Sequence, residues 1–265
     1  MIDRSEMVSV FRRLSLEAGE IVMKFYDSES FDIKLKADNS PVTAADKEAD
    51  THISRGILEY FSNVPLVTEE QVQTHTSKYK SFIIVDPLDG TKEFINRNGD
   101  FTVNIAYVEN GEPLVGVVYA PAKKRLFYTL STSNAVEEYY PFDKNIAGEI
   151  KLLKPRVPDN DNLIMVASKS HQNQETKDYI SKYNISTLMG AGSSLKFCLL
   201  ASGEADIYPR LGRTMEWDTA AGQAILNSAG GKVVKFKDHS AMLYGKTSYE
   251  NPFFVAYVPG VKLRA

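Results

Sequence analysis

The run Asp86-Pro87-Leu88-Asp89-Gly90-Thr91 places two carboxylates, a glycine and a hydroxyl within six consecutive residues. It follows Phe82, Ile83, Ile84 and Val85, a continuous apolar run of the kind found in strands buried on both faces. Pro87 is expected to end regular pairing, and Gly90 to let the main chain approach a ligand closely. Two carboxylates at the mouth of a buried strand lose hydration and repel each other, so a positive charge is expected between them, most economically a divalent metal. Asp, Pro and Gly are also ordinary turn formers, and a plain turn is the competing reading of the run taken alone.

Other acidic positions could complete such a site. Glu69 and Glu70 close the short strand-like run Pro65-Leu66-Val67-Thr68, although a solvated loop would carry them equally well. Asp218 stands in Trp217-Asp218-Thr219-Ala220-Ala221-Gly222, where a helix is expected to open and where a simple N-cap is the competing role. Glu69, Asp86, Asp89 and Asp218 thus each fall at an expected strand end or helix start, where side chains from separate elements converge. An all-oxygen donor set suits Mg²⁺ or Mn²⁺ better than zinc, and no histidine lies within these runs. Gly190-Ala191-Gly192-Ser193-Ser194 leads into the apolar run 195–201, a small-residue loop feeding a helix whose first N–H groups favour phosphate. A capped core helix is the alternative there.

The elements that must position these residues are legible from periodicity. Met7, Val10, Phe11, Leu14, Ala18, Ile21, Val22 and Phe25 recur at spacings of mainly three and four, which describes one face of a helix. Thr43 can cap a second helix with Ala45, Ala49, Ile53, Ile57 and Phe61 on its apolar face. Asp46 falls in its first turn, where the plain role is to complement the helix dipole. Asn110-Gly111 between the β-rich runs 101–108 and 114–119 is a strong hairpin signal, extended by 126–130 and 135–139 into an antiparallel meander. Beyond Pro155 and Pro158 the pattern changes: strands at 163–167, 205–208, 232–236 and 253–258 alternate with helical segments. One helix can lie within 168–183, and another opens at Asp218 and ends at Gly230-Gly231. The expected division is an N-terminal α+β half, 1–155, with a mostly antiparallel sheet and most metal ligands, and a C-terminal α/β half, 156–265.

The chain has 265 residues, 43% of them apolar, which is ample for one large core or two closely packed ones. With 31 Lys and Arg against 34 Asp and Glu the net charge is −3, and no basic stripe is visible, which argues against nucleic acid as a partner. Cys198 is the sole cysteine, so there is no intrachain disulfide and no multi-cysteine zinc site. The opening residues lack a signal-peptide core and nothing approaches a membrane-spanning length, so a soluble cytoplasmic protein is expected.

Taken together, Glu69-Glu70, the run 86–91 and the run 217–222 resemble, in order and separation, the three signature blocks of the lithium-sensitive, magnesium-dependent phosphatases that include inositol monophosphatases, fructose-1,6-bisphosphatases and bisphosphate nucleotidases. The likeness spans nearly the whole chain. The runs 86–94 with 98–106, and Gly192-Ser193-Ser194-Leu195-Lys196-Phe197-Cys198, are most similar to the CysQ-type 3′(2′),5′-bisphosphate nucleotidases. The resemblance implies a layered αβαβα sandwich, with the site between the two halves. It implies removal of the 3′-phosphate from adenosine 3′,5′-bisphosphate, giving AMP, in sulfur assimilation or nucleotide recycling.

By the same resemblance Glu69, Asp86 and the Leu88 carbonyl hold one magnesium, and Asp86, Asp89 and Asp218 a second. Two or three ions are implied, with manganese a substitute and lithium an inhibitor. Thr91 and Asp46 form a pair that helps activate water, with Glu70 a weaker auxiliary. Gly90 and Thr91 receive the scissile phosphate by their N–H groups, Asp218 also faces the substrate, and Ser193, Ser194, Lys196 and Arg210 grip the nucleotide. His171 is placed near the base or ribose. Arg213 can read substrate or pair with Glu216, and the polar run 71–80 leaves the cover of the site undefined. The implied partner is a small nucleotide, without an integral membrane segment, although peripheral association with an inner membrane is compatible with the family.

Three other functions are compatible with parts of the same pattern. A sugar or inositol phosphatase would use the same metal site. A haloacid-dehalogenase phosphatase would use an aspartate nucleophile, but its two aspartates are separated by one residue and here Pro87-Leu88 intervene. A nucleotide sensor would bind without turnover.

Overall fold

The computed structural model describes residues 3–28, 33–35, 41–76, 78–168 and 173–264. The first helix, α1 (Arg4–Tyr26), is capped by Asp3, whose carboxylate accepts the N–H groups of Ser5 and Glu6. A short pair, β1 (Ile33–Leu35) and β2 (Pro41–Thr43), leads into α2 (Ala44–Phe61). There follow β3 (Leu66–Thr68), β4 (Ser81–Asp89), the short helix α3 (Thr91–Ile95), β5 (Thr102–Glu109), β6 (Glu112–Ala120), β7 (Arg125–Ser131), β8 (Asn134–Glu138) and β9 (Ile150–Leu152). These strands, in the order β3-β4-β5-β6-β7-β8-β9, make a seven-stranded sheet in which only β3 and β4 run parallel. Asn110 and Gly111 both take positive φ, 52° and 84°, in the turn joining β5 to β6, as the hairpin signal predicts.

The rest of the chain builds β10 (Leu163–Ser168), α4 (Gln174–Ile180), β11 (Ile185–Ala191), α5 (Leu195–Ala201), β12 (Ile207–Arg210), α6 (Ala220–Ser228), β13 (Lys232–Lys235) and β14 (Phe254–Tyr257). Its five strands are ordered β11-β10-β12-β14-β13, parallel between β10 and both of its neighbours and antiparallel around β14. Helices α1 and α2 cover one face of the large sheet. Helices α5 and α6 fill the space between the two sheets, and α4 lies against the small one. The expected αβαβα layering is the architecture found.

Strand alternation sorts the large sheet's side chains between these layers. On β4 and β5, Ile83, Val85, Val103, Ile105 and Tyr107 join the α1–α2 core, whereas Phe82, Ile84, Ala106 and Val108 join the core around α5 and α6. Three local expectations are corrected. Pro87 does not end pairing: β4 runs on to Asp89 across a bulge, with Asp86 opposite Asn104 and Asp89 opposite Thr102. A bulge asks no ladder hydrogen bond of its extra residue, so a proline is accommodated. Helix α6 starts at Ala220 with Thr219 as N-cap, so Asp218 belongs to the preceding turn. The edge strands β9 and β11, largely exposed, carry too weak an apolar pattern to be anticipated.

A buried ion pair locks α1 to the meander. The Arg12 guanidinium donates to both Glu138 oxygens at 2.6 Å, and also to the carbonyls of Asp143, Lys144 and Ile146. Arg12→Met would leave Glu138 buried without its cation, an error that costs about 3–5 kcal/mol. Urea unfolding at pH 7 measures it. The Glu138 carboxyl lies below its ordinary 4.5 because Arg12 and the Gly148 N–H outweigh the opposing effect of burial. The pair's contribution is therefore complete above that pH, and the gap between variant and parent should narrow as the pH falls below it.

Candidate active site

The bulge in β4 explains how two aspartates three residues apart serve one site. In an unbroken strand Asp86 and Asp89 would point to opposite faces; here their partners Asn104 and Thr102 are two apart, so both side chains turn toward the α5–α6 layer. β3 brings Glu69 alongside: its N–H donates to the Val85 carbonyl at 3.1 Å, one residue before Asp86. Asp218 arrives from the turn before α6, its Oδ2 accepting the Met215 N–H at 2.8 Å. Carboxylate oxygens of Glu69, Asp86 and Asp218 lie within 4.8 Å of one another.

Burial, then the charges of Glu69, Asp89 and Asp218, pushes the Asp86 carboxyl well above its ordinary range. Burial followed by Asp89 and Glu69 does the same to Asp218. Carboxylates crowded in this way stay ionised together only when a cation outweighs their repulsion, and an oxygen-only donor set suits a hard divalent ion. A metal therefore fits these residues. Asp89 lies beside this group rather than in it: its Oδ2 accepts the Ser194 N–H at 2.6 Å and the Asn104 amide at 3.2 Å.

Thr91 is reached through Gly90, whose φ of +93° turns the chain from β4 into α3; a Cβ there would sit 3.1 Å from the Asp100 carbonyl. The Thr91 hydroxyl lies 3.2 Å from Asp46 Oδ1 and 3.3 Å from the Leu88 carbonyl. Asp46 divides its work between two oxygens, because Oδ2 accepts both the N–H and the hydroxyl of Thr43 in a capping box. The helix-cap role and the Thr91 contact coexist on one side chain.

A cavity of about 600 Å³ opens over the carboxylates, with Gly90, Thr91, Ser193, Lys196, Arg210 and Trp217 on its wall. Lys196 is buried; its ammonium donates to the Ser193 carbonyl at 2.7 Å, and burial holds it down at about 8 against the opposing pull of Asp89. The Ser193 hydroxyl and Arg210 Nε are buried without a partner among the described residues, so the wall carries donors with nothing to satisfy them. Ser194 is not on that wall. Its hydroxyl donates to the Asp218 carbonyl and accepts from Asn104, tying the loop before α5 to both aspartates. Glu70 is half-buried beside Glu69 but does not line the cavity. His171 lies outside the described residues.

Arg213 pairs with Glu250 at 3.5 Å, while Glu216 is neutralised by Lys246 at 2.6 Å. The run 71–80 contributes a 3₁₀ turn, Val72–Thr76, which sets His75 on the cavity wall. His75 stacks on Trp217 with ring centroids 4.8 Å apart, and its Nε2 lies 2.7 Å from the Thr68 carbonyl. The residues preceding Glu69 and Asp218 are thereby joined through an aromatic stack. Sequence reasoning missed His75, which sits in an unpatterned polar run; it also missed buried Glu93 on the same wall, whose only cue was its place two residues after Thr91.

Residues 3–255 match the sequence profile of the inositol monophosphatase family. The chain belongs to that family. It is 40% identical over 248 residues to the 3′(2′),5′-bisphosphate nucleotidase CysQ of Escherichia coli strain K12, covering 91% of this chain and 96% of that protein. The nucleotidase CysQ of Buchnera aphidicola is 39% identical over 231 residues, covering 86% and 84%. Among solved structures, CysQ from Bacteroides thetaiotaomicron, a bacterial member of the inositol monophosphatase family, superposes with a TM-score of 0.83 at 37% identity, over 96% of this chain and 97% of that one. An inositol monophosphatase from Zymomonas mobilis superposes at 0.78 but with 20% identity, over 98% and 96%, and so speaks for the fold alone. The inositol monophosphatase family is one of phosphatases, and this member is a hydrolase of phosphoric monoesters. None of its described helices is long and apolar enough to cross a membrane.

The charge crowding makes a direct prediction. Asp218→Asn should be at least as stable as the parent in chelator, because a buried like charge is removed while an acceptor for the Met215 N–H remains. The parent should gain about 2.7 kcal/mol when Mg²⁺ or Mn²⁺ is present at a hundred times its Kd, and the variant far less. Thermal unfolding with and without the metal measures both.

Proposed function

We propose that the chain is a magnesium-dependent 3′(2′),5′-bisphosphate nucleotidase, releasing the 3′-phosphate of adenosine 3′,5′-bisphosphate to leave AMP. One observation carries the reading: three convergent carboxylates share a cavity with Lys196 and Arg210. That pairing suits a substrate with two anionic groups, one for the metal and one for the fixed cations, and the names of the CysQ relatives support it. Glu69, Asp86, Asp89, Asp218 and the Leu88 carbonyl are the proposed ligands of two or three magnesium ions, for which manganese substitutes and which lithium antagonises. They come from both the 1–155 and the 156–265 halves. The reading places the enzyme in the cytoplasm, in sulfur assimilation or nucleotide recycling.

Bound there, magnesium would supply Lewis acidity toward the attacking water and the phosphoryl oxygens. The chain's own residues orient the reaction. With its own hydrogen bonded to Asp46, the Thr91 oxygen keeps lone pairs with which to accept a hydrogen bond from the incoming water and aim it. The N–H groups of Gly90 and Thr91 face the phosphate, with Glu70 at most an auxiliary. The water oxygen forms the new bond to phosphorus as the ester bond to the 3′ oxygen breaks; of the water's two hydrogens one remains on the released phosphate and the other passes, through solvent, to the leaving 3′ oxygen. Lys196 and Arg210 hold the 5′-phosphate, and Ser193 contacts the nucleotide. Ser194 acts through Asp89 and the Asp218 main chain rather than by touching substrate.

With Mg²⁺ present, phosphate release should be fastest from adenosine 3′,5′-bisphosphate. A preference for inositol 1-phosphate or fructose 1,6-bisphosphate would refute the reading. Binding without release by the folded protein would identify a sensor, and a trapped phospho-Asp86 an aspartyl-phosphate mechanism. Lys196→Met and Arg210→Met should each raise KM for the bisphosphate roughly tenfold or more, the worth of one charge-assisted hydrogen bond. Adenosine 3′-monophosphate, which lacks the second phosphate, should be affected much less in the same assay.

A further inference from the structure

Behind the turn that carries Trp217 and Asp218 lies a second polar assembly that the chemistry above does not use. Glu216, fully buried, is its centre. Its Oε2 accepts the Gly245 N–H at 2.8 Å, and its Oε1 accepts the Lys246 N–H at 2.9 Å. The Lys246 ammonium closes on the same oxygen at 2.6 Å. Gly245 has a φ of +83°, a conformation that favours glycine, at the point where two successive N–H groups converge on one carboxylate.

The same segment holds the turn on both sides of Asp218. The Glu216 N–H donates to the Tyr249 carbonyl at 2.7 Å, and the Asn251 amide donates to the Met215 carbonyl at 2.7 Å. The Tyr244 hydroxyl pairs with that of Thr219 at 3.1 Å, and Tyr249 packs near the Trp217 ring. Residues 215, 216, 217 and 219 are thus all held by 244–251, and Asp218 lies among them.

Asp218 needs such restraint. Its carboxylate reaches the centre shared with Glu69 and Asp86 from a turn rather than from a strand or helix, and its Oδ2 is held by the Met215 N–H of that same turn. The aim of the carboxylate is therefore only as fixed as the turn. A buried glutamate with three N–H partners fixes it, because moving the turn would break charge-assisted bonds inside the protein. We infer that Glu216 is a positioning residue: with Gly245 and Lys246 it clamps the turn and fixes the Asp218 carboxylate where the cation will bind. The inference rests on the proposed role of Asp218 as a metal ligand.

The test is Mn²⁺ binding by the full-length protein, followed by calorimetry and by the paramagnetic spectrum of the free ion. Glu216→Gln removes the charge, Lys246→Met removes its partner, and Glu250→Gln, on the same segment but paired with exposed Arg213, is the control. Glu216→Gln and Lys246→Met should weaken Mn²⁺ binding roughly tenfold, as expected when the support of a metal ligand is disturbed. The control should bind like the parent. The metal concentration for half-maximal turnover should rise in step, while kcat at saturating metal recovers, a split that general loss of stability would not give. Parental Mn²⁺ affinity in whichever of the two variants is folded would overturn the clamp, as would equal weakening in Glu250→Gln. Failure of the parent itself to bind Mn²⁺, or parental binding by Asp218→Asn, would overturn the metal reading on which it rests.

Discussion

The structure depends on a repulsion that it creates and must then contain. Glu69, Asp86 and Asp218 reach a buried point from three separate elements, and their mutual repulsion opposes the folding that brings them together. Such an arrangement persists only if the surrounding frame is rigid and if a cation can reward it. The frame is visible in the packing: β4 and β5 are covered on both faces, by α1 and α2 on one side and by α5 and α6 on the other. The acidic rim of the large sheet is therefore set in a core that does not give way.

Rigidity is extended to the carboxylates by side chains that do not line the cavity. Ser194 and Asn104 hold Asp89, and Ser194 also grips the main chain of Asp218. Asp46 caps α2 with one oxygen and faces Thr91 with the other, so the position of the hydroxyl is linked to a helix terminus. Preorganisation of this kind is what the proposed in-line displacement needs, since in it the protein would contribute orientation and electrostatics rather than a covalent step.

The architecture was readable from the chain because its signals are local and repeated: three-to-four spacing in α1 and α2, an Asn-Gly turn between β5 and β6, and acidic runs at element ends. The convergence of Glu69, Asp86 and Asp218 could be inferred because each is expected at such an end, although Asp86 lies at a bulge inside β4. What escaped reading depends on contacts between distant segments. The bulge at Pro87 reverses the ordinary meaning of a proline in a strand, and only pairing with Asn104 and Thr102 reveals it. The resemblance sets Ser194 among the residues that grip the nucleotide, but only the folded chain reveals that its partners lie on β4, β5 and the turn before α6. His75 carries no periodic signal, because its place is decided by stacking on Trp217 far along the chain.

The account stands on a divalent ion being held at the junction of Glu69, Asp86 and Asp218. Anomalous scattering from crystals grown with Mn²⁺ addresses this directly. The prediction is manganese density at this junction, with each of the three carboxylates within coordination distance of a manganese ion. No peak there, with Mn²⁺ located elsewhere or with the three side chains turned apart around an empty centre, would contradict it.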